Sequence, residues 1–351
     1  MINLRSETLS VKSSPSFNLT VLAKRYTPEL PYTLSDDPKA LSLIFCHAQG
    51  FFKEVWEPVI QRLLLHVNES SEVKDVLKIK EIYSIESPNH GESATLNEEA
   101  LDKYYLDSWT VRDYTRAVNA FLTTGLENRA NTDFTKRKLI GIGHSMGAAA
   151  LVMLVKMAPQ LSFEQFVFVE AAVSRPDIPQ RFQMQSALTY LAWTRRDVWT
   201  SPESAINDFK SNPVFSSWDP RIFDLYMQYA LRVHPAAKYP KPYQFKGITT
   251  ALTKRQEAAA ARDEELIYGA LTEYAELTRQ FPVHVIFGDT PDISPVELQK
   301  VHSDPELGCY PRSISYIHGV GHLAIQQAPD ATADKIFDIL YESYDINKPR
   351  L

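Results

Sequence analysis

The chain has 351 residues, 37 Lys and Arg against 43 Asp and Glu, a formal net charge of −6 and 44% hydrophobic residues. That length fits one large α/β domain with an insertion, or two domains, and that apolar content excludes wholesale disorder. Lys and Arg are scattered, which argues against a nucleic-acid binder, and two cysteines, Cys46 and Cys309, exclude a disulfide framework and point to a reducing compartment.

The N-terminal stretch Met1 to Ser16 is polar and serine-rich, without the apolar core of a secretory signal. Alternation over Phe17 to Ala23 predicts a half-buried strand, and the apolar run Leu41 to Cys46 predicts a strand buried on both faces of a parallel sheet. Val55, Val59, Leu63, Leu64 and Val67 have helical spacing. A strand over about Leu77 to Ile85 follows, then a helix over Tyr114 to Leu122 and a strand over Lys138 to Gly143. Further strands are expected at Phe166–Val169, Pro282–Phe287 and Ser313–Ile317, and an amphipathic helix at Ala331 to Tyr344. Strands alternating with helices imply an α/β fold whose mostly parallel sheet is covered on both faces. From Ser174 to Leu277 no buried strand is expected. Helical patterns at Ile222–Leu231 and Ala258–Leu277, with Trp193, Trp199 and Trp218, predict a helical insertion. The expected division is therefore 1–173 and 278–351 for the core and 174–277 for the cap. No apolar stretch reaches the roughly 20 residues of a membrane span.

Gly143-His144-Ser145-Met146-Gly147 fits the G-x-S-x-G pattern of a nucleophile elbow, between a strand and an alanine-rich helix. Glycines on both sides let the strand and helix backbones come close, which pushes the Ser145 hydroxyl out at the carboxyl end of the sheet. A serine nucleophile needs a base, an orienting acid and an oxyanion pocket. His322, after the last strand and before the last helix, is the expected base, with His318 as its competitor. His90 and His144 are read as packing or turn residues. The expected oxyanion donors are the backbone N–H groups of Met146 and Gln49. The acid is open among Glu170, Asp292 and Asp289, all at strand ends. No H-E-x-x-H, paired C-x-x-C, dinucleotide or P-loop pattern is present, so neither metal nor other cofactor is expected.

His47-Ala48-Gln49-Gly50-Phe51, Asn89-His90-Gly91-Glu92-Ser93, Gly143 to Gly147 and Gly321-His322, in that order, resemble the motifs of the α/β-hydrolase superfamily with a helical cap. With Arg195-Arg196-Asp197-Val198-Trp199 and the C-terminal Pro349-Arg350-Leu351, the chain resembles more narrowly the fungal peroxisomal α/β-hydrolases, which include the yeast peroxisomal lipase and hydrolases of host-selective toxin biosynthesis. In that superfamily the acid usually stands three residues after a glycine, a slot that Pro291 fills here. Some members of the narrower group lack an aspartate there, which favours Glu170. The resemblance implies a cofactor-free serine hydrolase of an ester, thioester or lactone of an apolar acyl compound. The implied setting is peroxisomal lipid metabolism or fungal secondary metabolism such as toxin biosynthesis. The C-terminal tripeptide implies a second partner, the peroxisomal import receptor. A ligand-binding receptor on a hydrolase scaffold, and a cyclase or lyase using the same groups, are the alternative readings.

Overall fold

The computed structural model describes residues 4–28, 37, 39–124, 132–175 and 177–345, without the side chains of 265–268. The tripeptide Pro349-Arg350-Leu351 lies outside the described residues. Among the described residues eleven strands occur: β1 Leu4–Val11, β2 Val21–Pro28, β3 Leu41–Cys46, β4 Ile79–Ile85, β5 Lys138–His144, β6 Phe163–Val169, β7 Val198–Trp199, β8 Leu231–Val233, β9 Ile248–Thr250, β10 Val283–Gly288 and β11 Ser313–Ile317. Eight form one sheet in the order β1-β2-β4-β3-β5-β6-β10-β11. From β4 to β11 all neighbours are parallel, and β1 and β2 add an antiparallel edge.

The apolar run of β3 is buried along its whole length, as a strand covered on both faces must be. Its side chains alternate between two cores. Ile44 and Cys46 join the cluster under helices Val111–Thr123 and Met146–Met157, whereas Leu43 and Phe45 join the cluster under helices Glu57–Asn68 and Pro329–Tyr344. Helix Val111–Thr123 starts on a reciprocal capping box between Thr110 and Asp113.

Four features depart from the sequence expectations. Strand β1 lies in the stretch read as polar, and β2 begins at Val21 and runs to Pro28 rather than over Phe17 to Ala23. An edge strand needs few buried residues, and β1 buries only Leu9 and Val11 fully. The insertion after β6 carries, besides its helices, a small antiparallel sheet of order β7-β9-β8. The helical pattern over Ala258–Leu277 is two helices, Lys254–Ala261 and Glu265–Gln280. The second sends Ala270, Tyr274, Ala275 and Leu277 into the core cluster that also holds Met146 to Leu154.

Candidate active site

Strand β5 runs into Ser145, and helix Met146–Met157 starts at the next residue. Reversing direction within one residue forces Ser145 to φ 51° and ψ −117°. The turn also brings backbones into contact. A Cβ on Gly143 would lie 2.5 Å from the Ala148 Cα, and one on Gly147 would lie 2.3 Å from the Cys46 carbonyl oxygen. Both positions therefore require glycine.

Among the described residues, the non-glycine residues with positive φ are Ser145 and Glu170, the latter at 47°. Glu170 directly follows β6, beside β5 in the sheet. The two turns hold each other: the Ser145 N–H donates to the Val169 carbonyl at 3.1 Å, and the Ala172 N–H donates to the Ser145 carbonyl at 3.2 Å. Strain of this kind persists where surrounding bonds over-determine the backbone.

His322 stands in the turn after β11. Its Nε2 is 3.0 Å from the Ser145 Oγ, and its Nδ1 is 3.2 Å from Glu170 Oε2. The other Glu170 oxygen accepts the Gly288 N–H at 2.7 Å, and the carboxylate is buried. With Nδ1–H donating to Glu170, Nε2 is left to accept the Ser145 proton. The turn is gripped through its backbone as well. Asp292 accepts the His322 N–H at 2.8 Å, and His144 Nε2–H donates to the His322 carbonyl at 2.9 Å. Asp292 thus holds the main chain of His322 and not its ring. Asp289 pairs instead with His318, at 2.6 Å, and takes the Gly319 N–H at 2.8 Å. Gln327, six residues past Gly321, accepts its N–H at 3.0 Å and reaches Ser217 of the insertion at 3.3 Å.

The loop after β3 faces the N-terminus of helix Met146–Met157. Among the described residues, no acceptor takes the N–H of Met146 or of Gln49. Neutral imidazoles stitch this loop to the one after β4. His47 Nε2 accepts the Ser87 N–H at 3.0 Å, and His90 Nε2 accepts the Gly50 N–H at 2.9 Å. Burial brings His47 down to about 4, takes His90 well below its ordinary value and brings His144 down to about 3. Below them, the fully buried Lys53 ammonium lies 3.4 Å from Glu86 and 3.3 Å from Glu54. Burial pulls Lys53 down, but the Glu86, Glu54 and Glu92 carboxylates outweigh it and leave it raised. Burial pushes Glu54 up to about 7. Glu86 also accepts the Ser93 N–H at 2.9 Å and the Ser93 hydroxyl at 2.7 Å, which ties down the segment carrying His90 and Gly91.

Aromatic rings seat the insertion on this loop. Phe51 packs at 5.6 Å from Trp218 and 6.0 Å from Tyr226, and Phe52 at 5.6 Å from Tyr229. A small cleft opens between loop and insertion, lined among others by Gly50, Phe51, Tyr226 and Leu252. Its lining includes neither Ser145 nor His322. Sequence reasoning did not foresee the Asp292 grip on the His322 main chain, the Glu170–Gly288 bond or the partner of the Gln49 side chain. Only the first had a signal, the crowding of carboxylates beside the His322 turn. Among the described residues no group of three or more His, Cys, Asp or Glu is placed to hold a metal ion, and no helix is long and apolar enough to cross a membrane.

A profile of the alpha/beta hydrolase family matches residues 43–335. The chain is 29% identical over 240 residues to a type I acyl-CoA thioesterase of Penicillium brevicompactum, covering 66% of this chain and 49% of that protein. To a type I acyl-CoA thioesterase of Penicillium roqueforti it is 28% identical over 267 residues, covering 75% of this chain and 54% of that protein. The chain thus spans about half the length of the curated relatives it matches. A peroxisomal alpha-beta-hydrolase of Saccharomyces cerevisiae has a similar structure, with TM-score 0.72, 18% identity and coverage of 100% of this chain and 91% of that one. A thioesterase domain from the curacin biosynthetic pathway follows with TM-score 0.62, 13% identity and coverage of 95% and 99%. At such identities the likeness is one of fold.

Proposed function

This chain belongs to the alpha/beta hydrolase family, and we propose that within it the protein is a serine hydrolase acting on an ester, thioester or lactone of an apolar acyl compound. The observation that carries the reading is the unbroken line from Ser145 Oγ through both nitrogens of His322 to the buried Glu170. In this reading His322 Nε2 takes the Ser145 proton as Oγ attacks the carbonyl carbon. Glu170 holds the imidazole in the tautomer that can accept that proton, and stabilises the imidazolium. The negative charge gathers on the former carbonyl oxygen, where the N–H groups of Met146 and Gln49 meet it. Two preorganised donors of this kind contribute several kcal/mol at the transition state, on the order of 2.7–4 each. His322 then returns the proton to the leaving thiol or alcohol. Water, deprotonated by the same nitrogen, releases the acid from Ser145.

Two curated relatives are named as acyl-CoA thioesterases, which makes acyl-CoA thioesters the first substrate class to test. The aromatic insertion supports an apolar acyl group. A peroxisomal setting rests on Pro349-Arg350-Leu351, read as a ligand of the import receptor. The test is a panel of p-nitrophenyl esters and acyl-CoA thioesters, with fluorophosphonate labelling and Ser145→Ala as control. Turnover with a Ser145 adduct is expected. Absence of both would leave a ligand binder on a hydrolase scaffold. Deleting the last three residues should spare hydrolysis and abolish peroxisomal import in a fungal cell. Punctate import that survives the deletion would refute the targeting.

A further inference from the structure

The insertion is not only seated on the loop after β3; it is bonded to it at Gln49. The Gln49 side-chain amide donates to the carbonyl oxygen of Glu257, at 2.9 Å, across 208 residues of chain. Glu257 lies in helix Lys254–Ala261, and its carboxylate takes the Nε–H of Arg195 at 2.5 Å. Arg195 ends helix Pro179–Thr194. Its other nitrogens reach the Thr250 hydroxyl at 3.1 Å and the Leu252 carbonyl at 3.0 Å. One guanidinium therefore fastens the end of one helix, the end of β9 and the start of a second helix, and the second helix holds Gln49.

Arg195 also lines the cleft beside the loop, where a cation could be taken for an anion receptor. Its bonding speaks against that. Each of its three nitrogens already has a protein acceptor, and its charge faces the Glu257 carboxylate. A guanidinium held by protein acceptors at all three nitrogens, with its charge facing a carboxylate, acts as a clamp.

We propose that Arg195 and Glu257 are positioning residues for hydrolysis: through the Gln49 side chain they fix the loop after β3 so that the Gln49 main-chain N–H points at the developing oxyanion. The proposal rests on the reading of that N–H as an oxyanion donor. Below, the loop is pinned by His47, His90 and Lys53; above, its described side-chain bond to the insertion is the one from Gln49. Removing the upper bond leaves the donor present but loosely aimed. Such a loss falls on the transition state more than on substrate binding.

The test uses the full chain, a p-nitrophenyl ester and a fluorophosphonate. Gln49→Ala keeps the main-chain N–H and removes the tether. It should lower kcat about tenfold with KM within about twofold, and slow fluorophosphonate inactivation in proportion. Arg195→Met should do the same, and the double variant should be no worse than either single one, because both cut one chain of bonds. Gln49→Pro removes the N–H itself and should cost at least about a hundredfold, with thermal unfolding confirming a folded protein. A large loss in Gln49→Pro with Gln49→Ala at full kcat would overturn the clamp and keep the donor. A small loss in a folded Gln49→Pro would overturn the donor reading underneath. Additive losses in Gln49→Ala and Arg195→Met would also overturn the proposal. Should Arg195→Met fail to fold, Gln49→Ala decides alone, by its split between kcat and KM.

Discussion

Two histidine–carboxylate pairs stand on the turn after β11. His318 and Asp289 are 2.6 Å apart, and His322 and Glu170 are 3.2 Å apart. The closer pair is the one without a reactive partner. The His318 side chain is 98% exposed, so water competes for both its nitrogens, whereas that of Glu170 is 1% exposed and its second oxygen is taken by Gly288. The His322 ring is defined on both sides, by a carboxylate at Nδ1 and a hydroxyl at Nε2. A short contact does not make a catalytic pair. In the proposed mechanism the features that do are burial, a fixed tautomer and a hydroxyl on the far nitrogen.

The comparison is broken most sharply at its reactive end. Ser145→Ala should remove fluorophosphonate labelling and at least about 10³-fold of turnover, and His322→Ala should be about as severe, because the two act as one unit. Near-full hydrolysis by either variant would sink the mechanism. Next comes the acid. Glu170→Gln keeps the shape but lets the imidazole turn to the wrong tautomer, and should cost about 10²- to 10⁴-fold in kcat while Ser145 still labels slowly. Equal losses from Asp292→Asn would show that the main-chain grip matters as much as the ring contact. An amide oxygen can accept the same His322 N–H, so that variant should stay within about threefold of the unmodified enzyme.

The exposed pair should matter least to activity. Asp289→Asn and His318→Ala should each leave kcat/KM within about twofold, as expected for a solvated pair. A hundredfold fall in His318→Ala would mean that the bases have been assigned the wrong way round. The buried imidazoles give an effect too small to see at neutral pH. His47 and His144 have folded-state pKa values of about 4 and about 3, below the ordinary ~6.5. The unfolded chain therefore takes up protons that the folded chain refuses. Stability is whole above about 6.5 and is lost as pH falls from there through about 4, by up to about 1.4 kcal/mol per unit for each histidine. Thermal unfolding followed from pH 7.5 to 5 should show Tm falling, with a shallower slope in His47→Gln. An unchanged Tm over that range would contradict the neutral, buried state of these rings.

The elbow was legible because close packing admits no substitute at Gly143 and Gly147, so the requirement is written as residue identity. The position of His322, between the last strand and the last helix, was legible for the same topological reason. The acid was harder, since three carboxylates stood at strand ends. Pro291 in the usual slot was the clue, and in the structure Glu170 is the one that meets the ring. The roles of Asp292 and of the Gln49 side chain were not legible. Each depends on a partner 30 or 208 residues away, and local pattern has no term for that. The strands of the insertion escaped for another reason. At two or three residues each they are too short to show alternation, and they are held by pairing with one another.

Lys53 lies beneath the loop that faces Ser145, and neither its side chain nor that of Glu86 touches solvent. Dissolved ions weaken charge pairs by gathering around them, and they gather only where solvent does. Arg255 and Asp107, each about half exposed, are open to such weakening. Lys53 and Glu86 are not. Moving this protein from dilute buffer into concentrated salt should loosen its outer ion pairs while the footing of the loop stays as it is, so hydrolysis of an uncharged ester should tolerate a wide range of ionic strength.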